Sequence, residues 1–407
     1  MKKMLIVEDD QIVGNIYRHK FQVEGFQVAL ATDGEAGLSA VKEIQPDIVI
    51  LDLMLPKLNG VEILKKMRAE PTTKSIPVIV LSNAYLSSLV QEAWKAGANH
   101  CMIKASCTPR QLVDLVNKTI GTAPPAPSSA PPPDPASKPA PAQAAPAKTA
   151  GQPRSSTRAE DDTAFQAELR QTFLNSAAEY VAQLRAMLQA FIKSEGDTAR
   201  LPRLFALYRK VHSLTSNSAV ASLANVAKMC SALEALLKEL YEKPKNINAS
   251  TMRTVAHTID FLAVLLEHSS GRDPESFPPA NIMVVDDEAI SRRAVIYALE
   301  KANLKCSSVE DPKTALTMLA ENRFDLIFLD VDMPGMSGFE LCAKLRGLPG
   351  HARTPVIFVT GLTDFESRAR STLSGGNDLI AKPFLFMELA VKALTCVLRG
   401  QLGIGRP

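Results

Sequence analysis

The sequence lacks the features that mark several large classes of protein. Its 46 basic and 43 acidic residues leave a net charge of only +3, so it shows no basic excess of the kind expected for nucleic-acid binding. Six scattered cysteines show no CxxC or Cys/His metal spacing and indicate reduced thiols. No apolar run approaches the about 18 residues of a membrane span or has the form of a signal peptide. We therefore expect a cytoplasmic protein with no nucleic-acid partner and no membrane insertion.

Two segments poor in large apolar residues divide the 407-residue chain. Residues 122–157 alternate proline, alanine and serine, and such a segment buries too little apolar surface to offset the entropy of ordering. Residues 269–279 are rich in turn-forming residues. We expect a Pro/Ala-rich disordered linker over 122–157, a short linker over 269–279, and three modules over 1–121, 158–268 and 280–402.

The two outer modules repeat one another. A constant shift of 278 residues superimposes eight positions of the first module on the second. These positions pair Glu8 with Asp286, Asp9 with Asp287, Asp52 with Asp330, Pro56 with Pro334, Gly60 with Gly338, Pro77 with Pro355, Ser82 with Thr360, and Lys104 with Lys382. One offset across eight positions indicates a duplicated domain.

Each copy alternates short apolar runs with segments of helical period. In the first copy, LIV, FQVALA, IVIL, PVIVLS and HCMI have the composition of strands, and EAGLSAVKEI and GVEILKKMRA that of amphipathic helices. This alternation predicts a parallel sheet with helices on both faces. Sites in such sheets lie beyond the carboxyl ends of the strands, and the aligned polar residues fall there.

The aligned polar residues form a chemically coherent set. Three carboxylates at one edge repel one another unless something compensates their charge. Mg²⁺ with retained waters suits a site of few carboxylates. A lysine and a hydroxyl at the same edge would help to hold a phosphoryl group, which an aspartate accepts as an acyl phosphate.

Four separate motifs in each copy resemble those of the receiver domains of bacterial response regulators. They read VEDD, LDLMLPKLNG, VIVLSNA and IKA in the first copy, and VVDDE, LDVDMPGMSG, VIFVTGL and AKPF in the second. The resemblance implies a flavodoxin-like (βα)5 fold with strand order 2-1-3-4-5. It implies that Asp52 and Asp330 accept phosphate. The implied ligands of one Mg²⁺ per receiver are Glu8, Asp9, Asp52 and the carbonyl of Met54 in the first copy, and Asp286, Asp287, Asp330 and the carbonyl of Asp332 in the second. The residues implied to contact the phosphoryl oxygens are Ser82, Thr360, Lys104 and Lys382.

The copies differ in how closely they follow the receiver pattern. Ala105 stands where proline usually follows the lysine, and the usual switch aromatic is Cys101 in one copy and Leu379 in the other. Asn83 occupies a position that is normally smaller, whereas Gly361 fits. We therefore predict that the second receiver is the cleaner phosphorylation site.

The middle module has helical period throughout and no strand pattern. Helices over about 163–194, 198–216, 218–242 and 249–268 predict a four-helix bundle. The buried stripe of the second helix places His212 about 80° from its centre, a half-exposed shoulder position. The residues of that stripe are Leu204, Leu207, Tyr208 and Val211.

The segment YRKVHSLTSNSAV resembles the histidine phosphotransfer (HPt) domain. His212, Leu214 and the pair Leu233–Glu234 match its motif, while Thr215 and Ser216 replace the usual lysine and glycine. The resemblance implies that His212 is a phosphocarrier. The alternative for a lone histidine on a helix is a surface residue without a role.

Together these patterns predict a multidomain fold, α/β plus all-α, in which two receivers flank an HPt-like bundle. We expect a phosphorelay protein whose partners are a sensor histidine kinase and other relay proteins, with protein contacts rather than transcription as its output. One alternative is a receiver-controlled scaffold whose bundle only dimerises, as in a homodimer, or docks partners. A histidine kinase is disfavoured because no glycine-rich nucleotide-binding motif is present, so we expect no enzymatic turnover of a substrate.

Overall fold

The computed structural model describes residues 1–82, 87–104, 107, 109–121, 167–194, 196–269, 278–361 and 374–404. The predicted linker 122–157 lies outside the described residues, as do most of 269–279 and the positions of Asn83 and Ala105. No helix in the described ranges is both long enough and apolar enough to cross a membrane.

The first α/β domain is a five-stranded parallel sheet with order β2-β1-β3-β4-β5, as predicted. Its central strands are buried along their whole length because helices cover both faces, which explains their continuous apolar runs. Its elements are β1 (Lys3–Val7), α1 (Gln11–Val23), β2 (Gln27–Ala31), α2 (Gly34–Ile44), β3 (Ile48–Asp52), α3 (Gly60–Ala69), β4 (Val78–Ser82), α4 (Ser87–Lys95), β5 (His100–Ile103) and α5 (Pro109–Gly121).

The described part of the central region consists of helices joined by short turns. Residues 167–175 form a helix, followed by α6 (Ala177–Ile192), α7 (Asp197–Val220), α8 (Ala224–Glu242) and α9 (Ala249–His268).

The predicted end of the second central helix at residue 216 is wrong, because α7 continues to Val220. The hydroxyls of Thr215 and Ser218 donate to the carbonyls of Val211 and Leu214, so these polar residues are satisfied inside the helix. Ser222, with φ of +57°, makes the turn that separates α7 from α8.

The second α/β domain repeats the first. Its parallel sheet has the order β10-β9-β8-β6-β7, which is the same arrangement read from the other edge. A capping box opens the third helix in both copies, with Asn59 and Glu62 in one and Ser337 and Glu340 in the other. Its described elements are β6 (Ile282–Val285), α10 (Ala289–Lys301), β7 (Cys306–Val309), α11 (Pro312–Glu321), β8 (Leu326–Asp330), α12 (Gly338–Arg346), β9 (Val356–Thr360), β10 (Asp378–Ala381) and α13 (Phe386–Gln401).

The apolar cores do not follow the boundaries predicted from the linkers. Val391, Leu394 and Leu398 of α13 are buried in the same cluster as the leucines of the central helices. On the other side, Val220 of α7 lies in the cluster of the first α/β domain. The central helices are therefore packed against both α/β domains, and each contact uses a different face.

Candidate functional site

The polar residues singled out in the sequence lie at the carboxyl edges of the two sheets. In the first domain, Glu8 and Asp9 follow β1, Asp52 ends β3, Ser82 ends β4 and Lys104 follows β5. The parallel pairing of β1 with β3, and of β3 with β4 and β5 beyond it, brings these strand ends side by side.

Glycine is required next to the aspartate that ends the third strand of each domain. A Cβ on Gly60 would lie 2.2 Å from the carbonyl oxygen of Asp52, and one on Gly338 would lie 2.0 Å from that of Asp330. The absence of a side chain allows α3 and α12 to start directly against the ends of β3 and β8.

The centre of the first site is a buried cluster of two acids and a lysine. The Nζ of Lys104 lies 2.7 Å from Asp52 Oδ2 and 2.8 Å from Glu8 Oε2, and the lysine side chain is only 1% exposed. Burial raises the pKa of Glu8 to about 7 despite the neighbouring lysine. Burial also acts on Asp52, but the charges of Lys104 and His212 outweigh it and hold the pKa of Asp52 below its usual range. Met54 donates its backbone N–H to Asp52 Oδ1 at 3.1 Å.

His212 of α7 faces this cluster from the central helices. Its Nε2 lies 3.6 Å from Asp52 Oδ2, and its Nδ1 lies 2.9 Å from Glu234 Oε1 on α8. Thr215 Oγ1 lies 3.0 Å from the other oxygen of Glu234, so its one proton is shared between this carboxylate and the carbonyl of Val211. Burial alone would lower the pKa of His212, but Glu234 and Asp52 raise it to about 10.

The predicted half-exposure of His212 is wrong, because the residue is 7% exposed. The predicted buried stripe of α7 is confirmed, and His212 does lie beside it, but the first α/β domain covers the shoulder of the helix.

A series of polar contacts around His212, the polar ladder, joins α7 to the residues that follow β1. Arg209 Nη2 lies 2.7 Å from Asp9 Oδ2, and Ser213 Oγ donates to Asp10 Oδ2 at 2.5 Å. Asn217 Nδ2 donates to the same oxygen of Asp10 at 3.2 Å. The sequence reasoning missed Asp10, Ser213 and Asn217. The signal for the α7 residues was their four-residue spacing, which places Arg209, Ser213 and Asn217 on one face of the helix.

The second site has the same residue types in a more open setting. Lys382 Nζ lies 3.1 Å from Asp286 Oδ2 and 3.0 Å from Asp330 Oδ1, and its side chain is 22% exposed. Burial raises the pKa of Asp330. Thr360 is buried at the end of β9, and Asp332 is exposed.

The acids of each site fit a divalent cation. Asp286, Asp287 and Asp330 each offer a carboxylate oxygen, and these atoms lie within 4.8 Å of one another. In the first site the corresponding group consists of Asp9, Asp52 and His212, so a histidine stands where the second site has Asp286. Asp9 Oδ1 is buried with no hydrogen-bond partner among the described residues, as expected for an oxygen that takes a cation. Glu8 is instead bound to Lys104.

Comparison with known families decides the identity of the two α/β domains. The model of the response regulator receiver domain matches residues 4–117 and 282–394, more than half of the chain. The chain belongs to the response regulator receiver family. The first and second α/β domains are its first and second receivers. Receivers act in two-component signalling, typically bind Mg²⁺ at an acidic pocket, and interact with histidine kinases and phosphotransfer partners.

Similar proteins match one receiver at a time. Protein RcaC of Microchaete diplosiphon is 37% identical over 123 residues, which are 30% of this chain and 19% of that protein. Response regulator PleD of Caulobacter vibrioides is 36% identical over 118 residues, 28% of this chain and 26% of that protein. The chain thus spans about a fifth to a quarter of the length of these two relatives. The solved chemotaxis response regulator CheY4 of Vibrio cholerae is 31% identical, with 30% of this chain and 99% of that one covered and a TM-score of 0.28.

Proposed function

We propose that this protein is a phosphorelay intermediate in which the central helices serve as an HPt domain, and a phosphoryl group passes between Asp52 and His212. The observation that carries the proposal is the approach of His212 Nε2 to 3.6 Å from Asp52 Oδ2 within one chain. Proximity of this kind converts a bimolecular transfer into an intramolecular one.

The chemistry of the transfer follows from the partners of the imidazole. The attack requires the neutral imidazole, so the Nε2 proton that the raised pKa retains near neutral pH is first lost to solvent. Nδ1–H then donates to Glu234, and the lone pair of Nε2 faces Asp52. Nε2 attacks the phosphorus of the acyl phosphate, the N–P bond forms, the P–O bond to Asp52 breaks, and Asp52 leaves as a carboxylate. Glu234 stabilises the positive charge that develops on the ring. Because the phosphorus has to lie between the two atoms, they move apart when Asp52 is phosphorylated.

The other residues of the first site would neutralise charge during this step. Lys104 is placed to pair with the phosphoryl oxygens, and the buried hydroxyl of Ser82 lies at the adjacent strand end. Asp9 and Asp52 would hold Mg²⁺, which when bound supplies further positive charge against the phosphoryl oxygens.

Asp330 of the second receiver is proposed as a separate phosphoacceptor. Lys382 and Thr360 would contact its phosphoryl group, and Asp286, Asp287 and Asp330 would hold the cation. The open setting of this site supports loading by an external donor such as a sensor histidine kinase.

A scaffold remains the second candidate function, and one observation favours it. The α13 helix of the second receiver packs into the apolar core of the central helices, so these helices already serve as a docking platform. In a pure scaffold, signalling would persist without the imidazole of His212.

The decisive experiment loads the full-length chain from acetyl phosphate with Mg²⁺ and follows label that is stable to base and labile to acid. We expect such label in the wild type and none in His212→Gln. The matched control is His257→Gln, which removes an exposed histidine of α9 and should leave the label unchanged. If only base-labile acyl phosphate forms on Asp52 and Asp330 in every chain, the relay is wrong and the scaffold stands.

A further inference from the structure

Among the described residues, the contacts around His212 involve the first receiver and not the second. The polar ladder on α7 consists of Arg209, Ser213 and Asn217, which recur every four residues and all reach the acids that follow β1. Arg209 binds Asp9, whose equivalent Asp287 is also an aspartate. The pairing of Arg209 with Asp9 therefore does not distinguish the receivers, whereas Asp10 does.

Asp10 is held in a fixed orientation by the start of α1. Its Oδ1 accepts from the backbone N–H groups of Ile12 and Val13 at 2.9 and 3.2 Å, as an N-cap. Its Oδ2 is thereby presented to α7, where it accepts from Ser213 and Asn217. One carboxylate thus starts a helix and receives both hydroxyl and amide donors from the partner surface.

The second receiver has lost this arrangement. The residue equivalent to Asp10 is Glu288, which is exposed and makes no side-chain cap to α10. Its longer side chain is not fixed by the helix start. The same shift replaces exposed Asn15 by exposed Arg293, which adds a positive charge to the helix that would face Arg209.

The apolar part of the contact also favours the first receiver over the second. Ile16 of α1 packs in the apolar cluster that includes Val220 of α7. The equivalent residue of the second receiver is Ala294, which lacks three of the four side-chain carbons. Each of these substitutions weakens docking of the second receiver on α7.

We infer that Asp10, read by Ser213 and Asn217, selects the first receiver as the partner of His212 and that Glu288 makes the second receiver a poor one. This inference rests on the proposed function, since it names the partner of the same site. Phosphate on Asp330 accordingly exchanges with a histidine outside this docking surface.

An exchange of donor and acceptor tests the selection in the full-length chain. Asn217→Asp places a second carboxylate beside Asp10 and should slow the formation of phosphohistidine about tenfold. Asp10→Asn keeps a good N-cap but loses the acceptor, so it should also slow transfer. The double variant restores a donor at position 10 and an acceptor at position 217, and should recover the wild-type rate to within about threefold.

Two controls separate selection from folding and from chemistry. Glu288→Gln changes the equivalent position of the second receiver and should leave phosphohistidine formation unchanged. Asp52→Asn should abolish phosphohistidine while Asp330 is still labelled.

The outcomes distinguish this inference from the proposed function. Absence of phosphohistidine in the wild type would overturn both. If phosphohistidine forms in the wild type and the single variants match it, or if the double variant is as slow as the single ones, the selection is wrong and the relay stands. Persistence of phosphohistidine in Asp52→Asn would show that Asp330 also serves His212 and would equally overturn the selection.

Discussion

The two receivers carry corresponding acids, hydroxyls and lysines at the same spacing, yet their sites differ in how far they are covered. The first site is closed: Lys104 is fully enclosed between Glu8 and Asp52, and the central helices cover the opening with His212. The second site is open, with Lys382 partly exposed. Since the fold and the chemistry are duplicated, the difference arises from what packs against each site.

The two receivers also contact the central helices through different surfaces. The first receiver presents its functional edge, and polar contacts surround the meeting point. The second receiver presents the face of α13, where Val391, Leu394 and Leu398 enter the apolar core. The first contact therefore covers the carboxyl edge of the sheet, whereas the second fixes the receiver in place and leaves Lys382, beside the buried Asp330, partly exposed.

The largest expected difference between the receivers is the effect of removing the lysine. Lys104→Met leaves Glu8 and Asp52 buried without their cation and should cost about 3–5 kcal/mol. Lys382→Met acts at a partly exposed site and should cost about 1 kcal/mol. Hydrogen exchange of the slowest amides in β1 and β3, against those in β6 and β8, measures each receiver separately in the full chain. Equal losses of protection in the two variants would contradict the contrast in burial.

Much of this architecture follows from the sequence, because the periods of parallel strands and helices are local. The parallel sheet, and the meeting of Glu8, Asp52 and Lys104 at one edge, required only alternating apolar runs and the polar residues after them. The strand order was implied by the resemblance to receiver domains. The roles of these residues in phosphate and Mg²⁺ binding remain predictions.

The packing of α7 over the first site could not be predicted from local sequence periods. Arg209 and Asp9 are two hundred residues apart in sequence, and their contact depends on how two separate domains pack. The exposure predicted for His212 was wrong for the same reason, since helical period describes one helix and not what docks on it. The difference between Asp10 and Glu288 is a single methylene group, whose effect is visible only once the partner surface is known.

Docking of the central helices over the first site should give a second, smaller difference, in the rates at which the two aspartates are phosphorylated. With acetyl phosphate as donor, Asp330 should be labelled about tenfold faster than Asp52 if a tenth of the chains are undocked at any time. The rates are measured as base-labile phosphate in Asp52→Asn and Asp330→Asn chains. Arg209→Glu opposes Asp9 and should bring the rate of Asp52 towards that of Asp330.

Arg185→Glu serves as the control for the labelling experiment, because Arg185 pairs with Asp260 within the central helices. It should leave both labelling rates unchanged. Equal rates for Asp52 and Asp330 in otherwise unaltered chains would mean that the docked state does not shield the first site.

Raising the ionic strength should weaken one of the two contacts and not the other, and this is the smallest of the expected differences. Raising the ionic strength from about 0.1 to 1 M shortens the screening length from about 10 to 3 Å. The half-exposed Arg209–Asp9 pair is then weakened, and the docked population of the first receiver should fall about two- to threefold. The α13 contact is mainly apolar, and its hydrogen bonds from Ser250 and Thr254 to Glu388 are partly or fully buried, so it should hold or strengthen. Hydrogen exchange at the start of α1 and along α13 reports the two contacts in one sample. A parallel loss at both places would show that the two receivers are released together, and that the polar and apolar contacts are not independent.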